Sequence, residues 1–391
     1  MQTLLIFNPE HDLALAFGGT NYTPPPMARL LRRDLQMLPA WISQQNDFIL
    51  SQNPEIDNDW LSIIRSRYNI GAKTTVISNI SQFDCIKPWG WNLFLKRRLS
   101  LDGANESILP SDIDIDNIRR LSHRRISIEI HRLFLEKIPL LQDNTPMEFH
   151  HLEDVLDFAR KHPKAYTKAP WSSSGKGIYR ALDISGLDFT RWCSGIIKRQ
   201  GSIMCEKPLD SILDFAMEFY CDNGNTSFIG YSIFNNDSHC SFSDGLLMST
   251  SQLHNKILSV FGDEDTLLSV RNCATEILNS LVAPHYNGYA GIDMMIYKDN
   301  SGTHQINPCI ELNLRTTMGV VSSIIGNRFL HKNATGTFHV EFHKSIISPD
   351  YINKLEKQNP LRISSEGKIL SGVQFLTPLY PDSQYCSYIL I

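Results

Sequence analysis

Two neighbouring segments place acidic, amide and basic side chains where they could hold a phosphate-bound cation. Gly288 to Tyr297 reads Gly-Tyr-Ala-Gly-Ile-Asp-Met-Met-Ile-Tyr, and Ile310 to Gly319 reads Ile-Glu-Leu-Asn-Leu-Arg-Thr-Thr-Met-Gly. Apolar runs flank the turn-forming residues of 298–303, so the pair is expected to be two antiparallel strands joined by a hairpin loop. Alternate residues of a strand share a face, which turns Glu311, Asn313 and Arg315 one way and Ile310, Leu312 and Leu314 the other. Asp293 on the first strand can aim at the same side. Two carboxylates and an amide oxygen beside a guanidinium suit a hard cation such as Mg²⁺ that carries phosphates, the arginine neutralising phosphate charge. The plain alternative is a half-buried hairpin with a polar outer face.

The elements that would position this set fill a chain of 391 residues, long enough for two or three domains with sizeable cores. A net charge of −4 gives no electrostatic case for nucleic acid as the main partner. The basic run His123-Arg124-Arg125 reads as a solvated helix face or a phosphate contact. The eight cysteines are scattered without Cys-x-x-Cys or zinc-like spacing, as expected of reduced thiols in a cytosol. The first apolar run is interrupted by 8–12 and lacks a basic leader, and no apolar run approaches the ~20 residues that span a bilayer. A soluble, cytoplasmic protein with no membrane partner is expected.

In chain order, Thr3 to Phe7 reads as a buried strand delivering Glu10, His11 and Asp12 into the loop at its carboxyl end, where α/β sheets hold ligands. Those three are candidates for substrate recognition or acid–base work, with helix capping the alternative for Asp12. Thr74 to Ser78 is expected as another buried strand, completing a parallel α/β unit over about the first 110 residues. Trp89-Gly90-Trp91 reads as a packed corner, or a stacking surface. One helical region is expected from Ser111 past Phe134, and a second helix over Leu152 to Lys161. A strand ending at Lys168 then enters the small-residue loop of Ser172, Ser173, Ser174, Gly175, Lys176 and Gly177, a candidate phosphate cradle that is not a Walker loop. The strand Ser202 to Cys205 runs into Glu206-Lys207-Pro208-Leu209, whose backbone could read a flat base edge. The tail beyond residue 330 shows strand-like runs at 367–376 and 385–391 that would pack on the core.

Order and spacing of these pieces make the stretch from Ser111 to Gly326 resemble the ATP-grasp family, which includes biotin carboxylase, D-alanine ligases and glutathione synthetases. The resemblance implies an N-terminal parallel α/β substrate domain (1–110), then a two-subdomain α+β grip on ATP: a central subdomain (111–200) with the phosphate lid, a C-terminal subdomain (201–330) with the metal site, and a strand-containing extension (331–391). Lys168 resembles the strand lysine on the ATP phosphates, and residues 172–177 the mobile lid. Glu206, Lys207 and Leu209 match the adenine-binding hinge, and Asp214 stands where ribose would be held. Asp293, Glu311 and Asn313 resemble the metal ligands, for Mg²⁺ or Mn²⁺, and Arg315 the arginine at the transferred phosphate, while 316–319 would line the acceptor site.

Three departures mark this chain. Eighteen positions separate Asp293 from Glu311, more than the family's usual hairpin. Asn307-Pro308 in the second strand therefore predicts a bulge that absorbs the excess, since proline cannot donate to the ladder. The lid is rich in serine rather than glycine, and the family's earlier lysine has no match, Arg124 or Arg125 being the substitute. The activity implied is a carboxylate–amine ligase using ATP and Mg²⁺ through an acyl-phosphate, with small-molecule or peptide acid and amine substrates. A nucleotide-binding module without turnover and a phosphotransferase acting on a non-carboxylate acceptor are the alternatives. Neither substrate nor oligomeric state is legible in these motifs.

Overall fold

The computed structural model describes residues 1–172, 177–182, 187–236 and 242–391. Four short strands open the chain: β1 (Thr3–Ile6), β2 (Phe48–Leu50), β3 (Lys73–Thr75) and β4 (Cys85–Pro88). They pair in parallel in the order β3-β2-β1-β4, with β1 central and buried throughout. This is the expected parallel unit, with one correction. The strand expected over 74–78 is only Lys73–Thr75 and half-exposed, because β3 forms the edge and the chain then coils into a 3-10 turn, Ile77–Gln82.

A second sheet follows, built from β5 (Met147–Phe149), β6 (Tyr166–Lys168), β7 (Ile178–Arg180) and β8 (Ile203–Glu206) in the order β5-β8-β6-β7. The helices Leu152–Lys161 and Leu187–Gln200 cover it through Val155, Phe158, Phe189, Cys193 and Ile196. The single helical region expected from Ser111 is two helices, Asp112–Leu121 and Ile126–Lys137. Ser111 starts the first with a full capping box. The break between them, 122–125, places Arg124.

The largest sheet has eight antiparallel strands: β9 (Asp210–Asp222), β10 (Asn225–Asn236), β11 (Phe242–Leu247), β12 (Gly288–Lys298), β13 (His304–Asn313), β14 (Gly336–Phe342), β17 (Val373–Phe375) and β18 (Tyr385–Leu390), ordered β13-β12-β9-β10-β11-β14-β18-β17. A separate pair, β15 (Arg362–Ile363) and β16 (Ile369–Ser371), completes the strands described. One face packs on Ile126–Lys137 and the long helix Glu264–Leu281, whose Leu267, Val270, Ile277 and Leu278 recur at helical spacing and are buried. The tail strands join this same sheet, and a second core draws Leu5, Trp41 and Ile49 together with Phe338, Ile369 and Ile389. No helix among the described residues is long and apolar enough to cross a membrane.

Candidate active site

The hairpin of β12 and β13 brings its carboxylates together through a bulge. Asp293 pairs directly with Glu311, while Met295 pairs with Asn307, so the one residue of β12 between them, Met294, faces three of β13, 308–310. Pro308 lies in that bulge, as its missing N–H requires. Asn313 Nδ2 donates to Asp293 Oδ2 at 3.1 Å, and Arg315 Nη2 donates to Asn313 Oδ1 at 3.0 Å. Arg315 lies just past the end of the strand rather than within it. Its Nε donates to Asp12 Oδ2 at 2.9 Å, so the loop after β1 holds the guanidinium in place. The Trp89 corner secures the same junction. Trp89 is buried against Phe7, edge to face at 4.8 Å, and its carbonyl accepts from Thr316 N at 2.8 Å.

A pocket of about 230 Å³ opens over this cluster, bordered by Asp293, Glu311, Asn313, Arg315, Arg124 and Ser172. Arg124 is buried and reaches across from the helix break. Its Nη1 donates to Ala169 O at 2.5 Å and Ser172 Oγ at 2.7 Å, and its Nη2 to Glu311 at 2.9 Å. Of the two arginines expected to replace the missing lysine, Arg124 is therefore the one at the pocket, since Arg125 turns away to Glu148 at 2.7 Å. Ser172, where the predicted lid begins, is buried at the pocket edge, whereas Ser173, Ser174, Gly175 and Lys176 lie outside the described residues. Gly177 packs back onto Ser172, for a Cβ there would meet Ser172 Cβ at 2.1 Å.

The remaining expected residues are not in the lining of this pocket. Lys168 is buried at the end of β6 and pairs with Glu206 at 2.6 Å. Lys207 is exposed and Leu209 half-buried, both in the connector from β8 to β9 that links the two sheets. Asp214, half-buried in β9, accepts from Ser211 Oγ at 2.9 Å. Cys309, in the bulge, is buried. Burial raises its thiol, and Asp293, Glu206, Glu311 and Lys168 all act on it. The sequence reading missed Glu218, which is 1 % exposed in β9 and borders the pocket. The available signal was a lone carboxylate inside the apolar run Phe215 to Tyr220. His11 and Glu10 are buried, and burial lowers the His11 imidazole to about 4.

The donor set fits a divalent cation. Two carboxylates, Asp293 and Glu311, and the Asn313 amide border the pocket beside two guanidinium groups, and Asp12 already engages one of these. Burial, with Glu311 and Glu218 adding repulsion, pushes Asp293 up to about 8 from its ordinary 3.8. The folded state thus holds a proton that the unfolded chain releases. The stability this lends is complete below the ordinary value and is lost as pH rises through about 8. A cation bound between Asp293 and Glu311 reverses that dependence, because it needs the ionised form and displaces the proton. The melting shift produced by Mg²⁺ with ADP is therefore expected to grow from pH 6 to pH 8.5, with affinity gaining up to about tenfold per pH unit. Thermal melts at the two pH values check this, and a shift independent of pH contradicts it.

A parallel α/β unit, a small four-stranded sheet and a large antiparallel sheet with a carboxylate-lined pocket at their junction define the ATP-grasp fold, and this chain has it. Among solved structures it is similar to the biotin carboxylase domain of Hydrogenobacter thermophilus 2-oxoglutarate carboxylase, in complex with MgADP, ADP and bicarbonate, at 11 % identity and a TM-score of 0.56 over 100 % of this chain and 85 % of that one. It is similar to Campylobacter jejuni biotin carboxylase in a β,γ-ATP complex, at 12 % identity and a TM-score of 0.55 over 99 % and 86 %. Staphylococcus aureus N5-carboxyaminoimidazole synthetase complexed with ADP follows, at 11 % and 0.52 over 100 % and 92 %. No protein-family model matches the sequence, and no curated protein matches it either.

Proposed function

We propose that this chain is an ATP- and Mg²⁺-dependent carboxylate–amine ligase that works through an acyl-phosphate. The observation that carries the reading is the pairing of Asp293 with Glu311 across the hairpin, completed by Asn313 and flanked by Arg315 and Arg124 in one pocket. The solved neighbours in complex with ADP, MgADP or an ATP analogue support the same reading.

In this account Asp293, Glu311 and Asn313 hold Mg²⁺, which supplies charge neutralisation on the ATP phosphates when bound. Lys168 leaves Glu206 to contact phosphate. The connector Glu206 to Leu209 presents backbone groups to adenine, and Asp214 faces the ribose. Arg315 is oriented by Asp12 and Asn313 so that its guanidinium meets negative charge building on the transferred phosphoryl group and its carboxyl acceptor. The substrate carboxylate oxygen bonds to the γ-phosphorus as ADP leaves. The amine nitrogen then bonds to the acyl carbon, inorganic phosphate departs, and the nitrogen loses its proton. Positioning and electrostatics suffice, so no protein nucleophile is required. In domain terms, 1–110 presents the substrate, 111–200 and 201–330 grip the nucleotide, and 331–391 extends the large sheet.

ADP release screened against pools of carboxylic acids and amines tests this. Release requiring Mg²⁺, one acid and one amine, with ¹⁸O passing from labelled carboxylate into phosphate, is expected. A phosphorylated alcohol as product indicates phosphotransfer instead, and no turnover across the screen indicates a binding module.

A further inference from the structure

Glu218 has a different environment from the metal-facing carboxylates. Ser232 Oγ donates to its Oε1 at 2.8 Å, and Thr317 Oγ1 lies 3.4 and 3.3 Å from its two oxygens. Two glycines make room for it. A Cβ on Gly319 would lie 2.0 Å from Oε1, and one on Gly291 2.7 Å from Oε2. Neither glycine has a positive φ, so vacated space rather than backbone conformation accounts for both. The result is a carboxylate seated deep in the pocket wall with hydroxyl donors only. The guanidinium groups of Arg124 and Arg315 are engaged with Glu311 and Asp12 instead. A buried carboxylate without a hydrogen-bonded cation is costly, and either a proton or a cationic ligand removes that cost.

The same cavity that Glu218 borders is also lined by the apolar side chains of Ile233, Phe234, Met318, Trp89 and Leu31. A ligand reaching from Glu218 along this apolar wall carries positive charge at one end and hydrocarbon at the other.

We propose that Glu218 receives the amine substrate as its ammonium form and takes one proton from it, leaving the nitrogen lone pair free to attack, and that this substrate is a small primary amine with an apolar body, lying along Trp89, Leu31 and Met318. The assignment rests on the ligase reading above. Glu218 selects the acceptor by charge, Gly291 and Gly319 keep its seat open, and the apolar wall disfavours polar amines.

The test is calorimetric titration of the full chain, saturated with MgADP, with isoamylamine, isoamyl alcohol and ethanolamine. The expected result is isoamylamine binding at least tenfold tighter than either comparator. Glu218→Gln should remove that preference while leaving alcohol binding and MgADP affinity as in wild type. Gly319→Ala, which pushes the carboxylate off its seat, should reproduce the loss. Isoamylamine binding Glu218→Gln as tightly as wild type overturns the proposal. So does a wild-type chain that binds MgADP and shows no amine preference. Loss of MgADP binding in Glu218→Gln would make Glu218 a metal ligand and overturn it as well. A wild type that fails to bind MgADP fells the nucleotide reading itself, and this assignment with it.

Discussion

Replacing Arg315 with alanine is expected to slow ligase turnover by two to three orders of magnitude, roughly 3–4 kcal/mol of transition-state stabilisation. The magnitude follows from its place. The guanidinium is fixed by Asp12 at 2.9 Å and Asn313 at 3.0 Å, so it needs no reorganisation when charge develops in the pocket. Arg315→Lys should recover only part of the rate, because an ammonium cannot keep both partners and face the substrate with a planar fork. Nucleotide binding, which the proposed function assigns to the carboxylates and Lys168, should largely survive, so the deficit should fall on kcat more than on the melting shift with MgADP. Turnover of Arg315→Ala within tenfold of wild type would remove Arg315 from the chemistry.

Trp41→Ala is expected to cost about 3–5 kcal/mol of stability, a drop in melting temperature of about 4–6 °C. Trp41 is fully buried, with its ring 5.4 Å from Tyr68 and 5.2 Å from Phe329. Its Nε1 donates to the Leu376 carbonyl at 2.7 Å. One side chain thus ties the N-terminal unit, the helix Met318–Arg328 and the C-terminal tail into a shared core. Its truncation leaves both a cavity and an unpaired carbonyl. Thermal melts of the variant measure the loss, and a change below about 1 kcal/mol would mean that the tail does not share that core.

What the sequence disclosed followed from local periodicity. The two-residue spacing of Glu311 and Asn313 and the turn at 298–303 are strand and hairpin signals, and Pro308 marked the bulge that puts Glu311 opposite Asp293. The parallel arrangement of the first strands was legible for a similar reason, since each apolar run is followed by a helical one. What stayed hidden depends on contacts between distant segments. Nothing near Arg315 announces Asp12 as its partner 303 positions away, and Arg124 reaches the pocket only because the helical region breaks at 122–125. Glu218 was hidden because an acidic residue in an apolar strand reads equally as an edge exposed to water. Only the vacated Cβ positions of Gly291 and Gly319 show that the space was kept for it. The edge strand β3 was over-read because alternation cannot distinguish a central strand from a border one when the run is three residues long.

The central claim is that Asp293 and Glu311 form a metal site for a bound nucleotide. The most direct test is a thermal melt of wild type and Glu311→Ala with and without MgATP. Nucleotide at about a hundred times its dissociation constant stabilises the folded state by roughly 2.7 kcal/mol, which is several degrees in melting temperature. The account predicts that shift in wild type, its loss on removing Mg²⁺, and its near absence in Glu311→Ala. A folded wild type whose melting temperature does not respond to saturating MgATP, or a Glu311→Ala variant that responds as strongly as wild type, would contradict it.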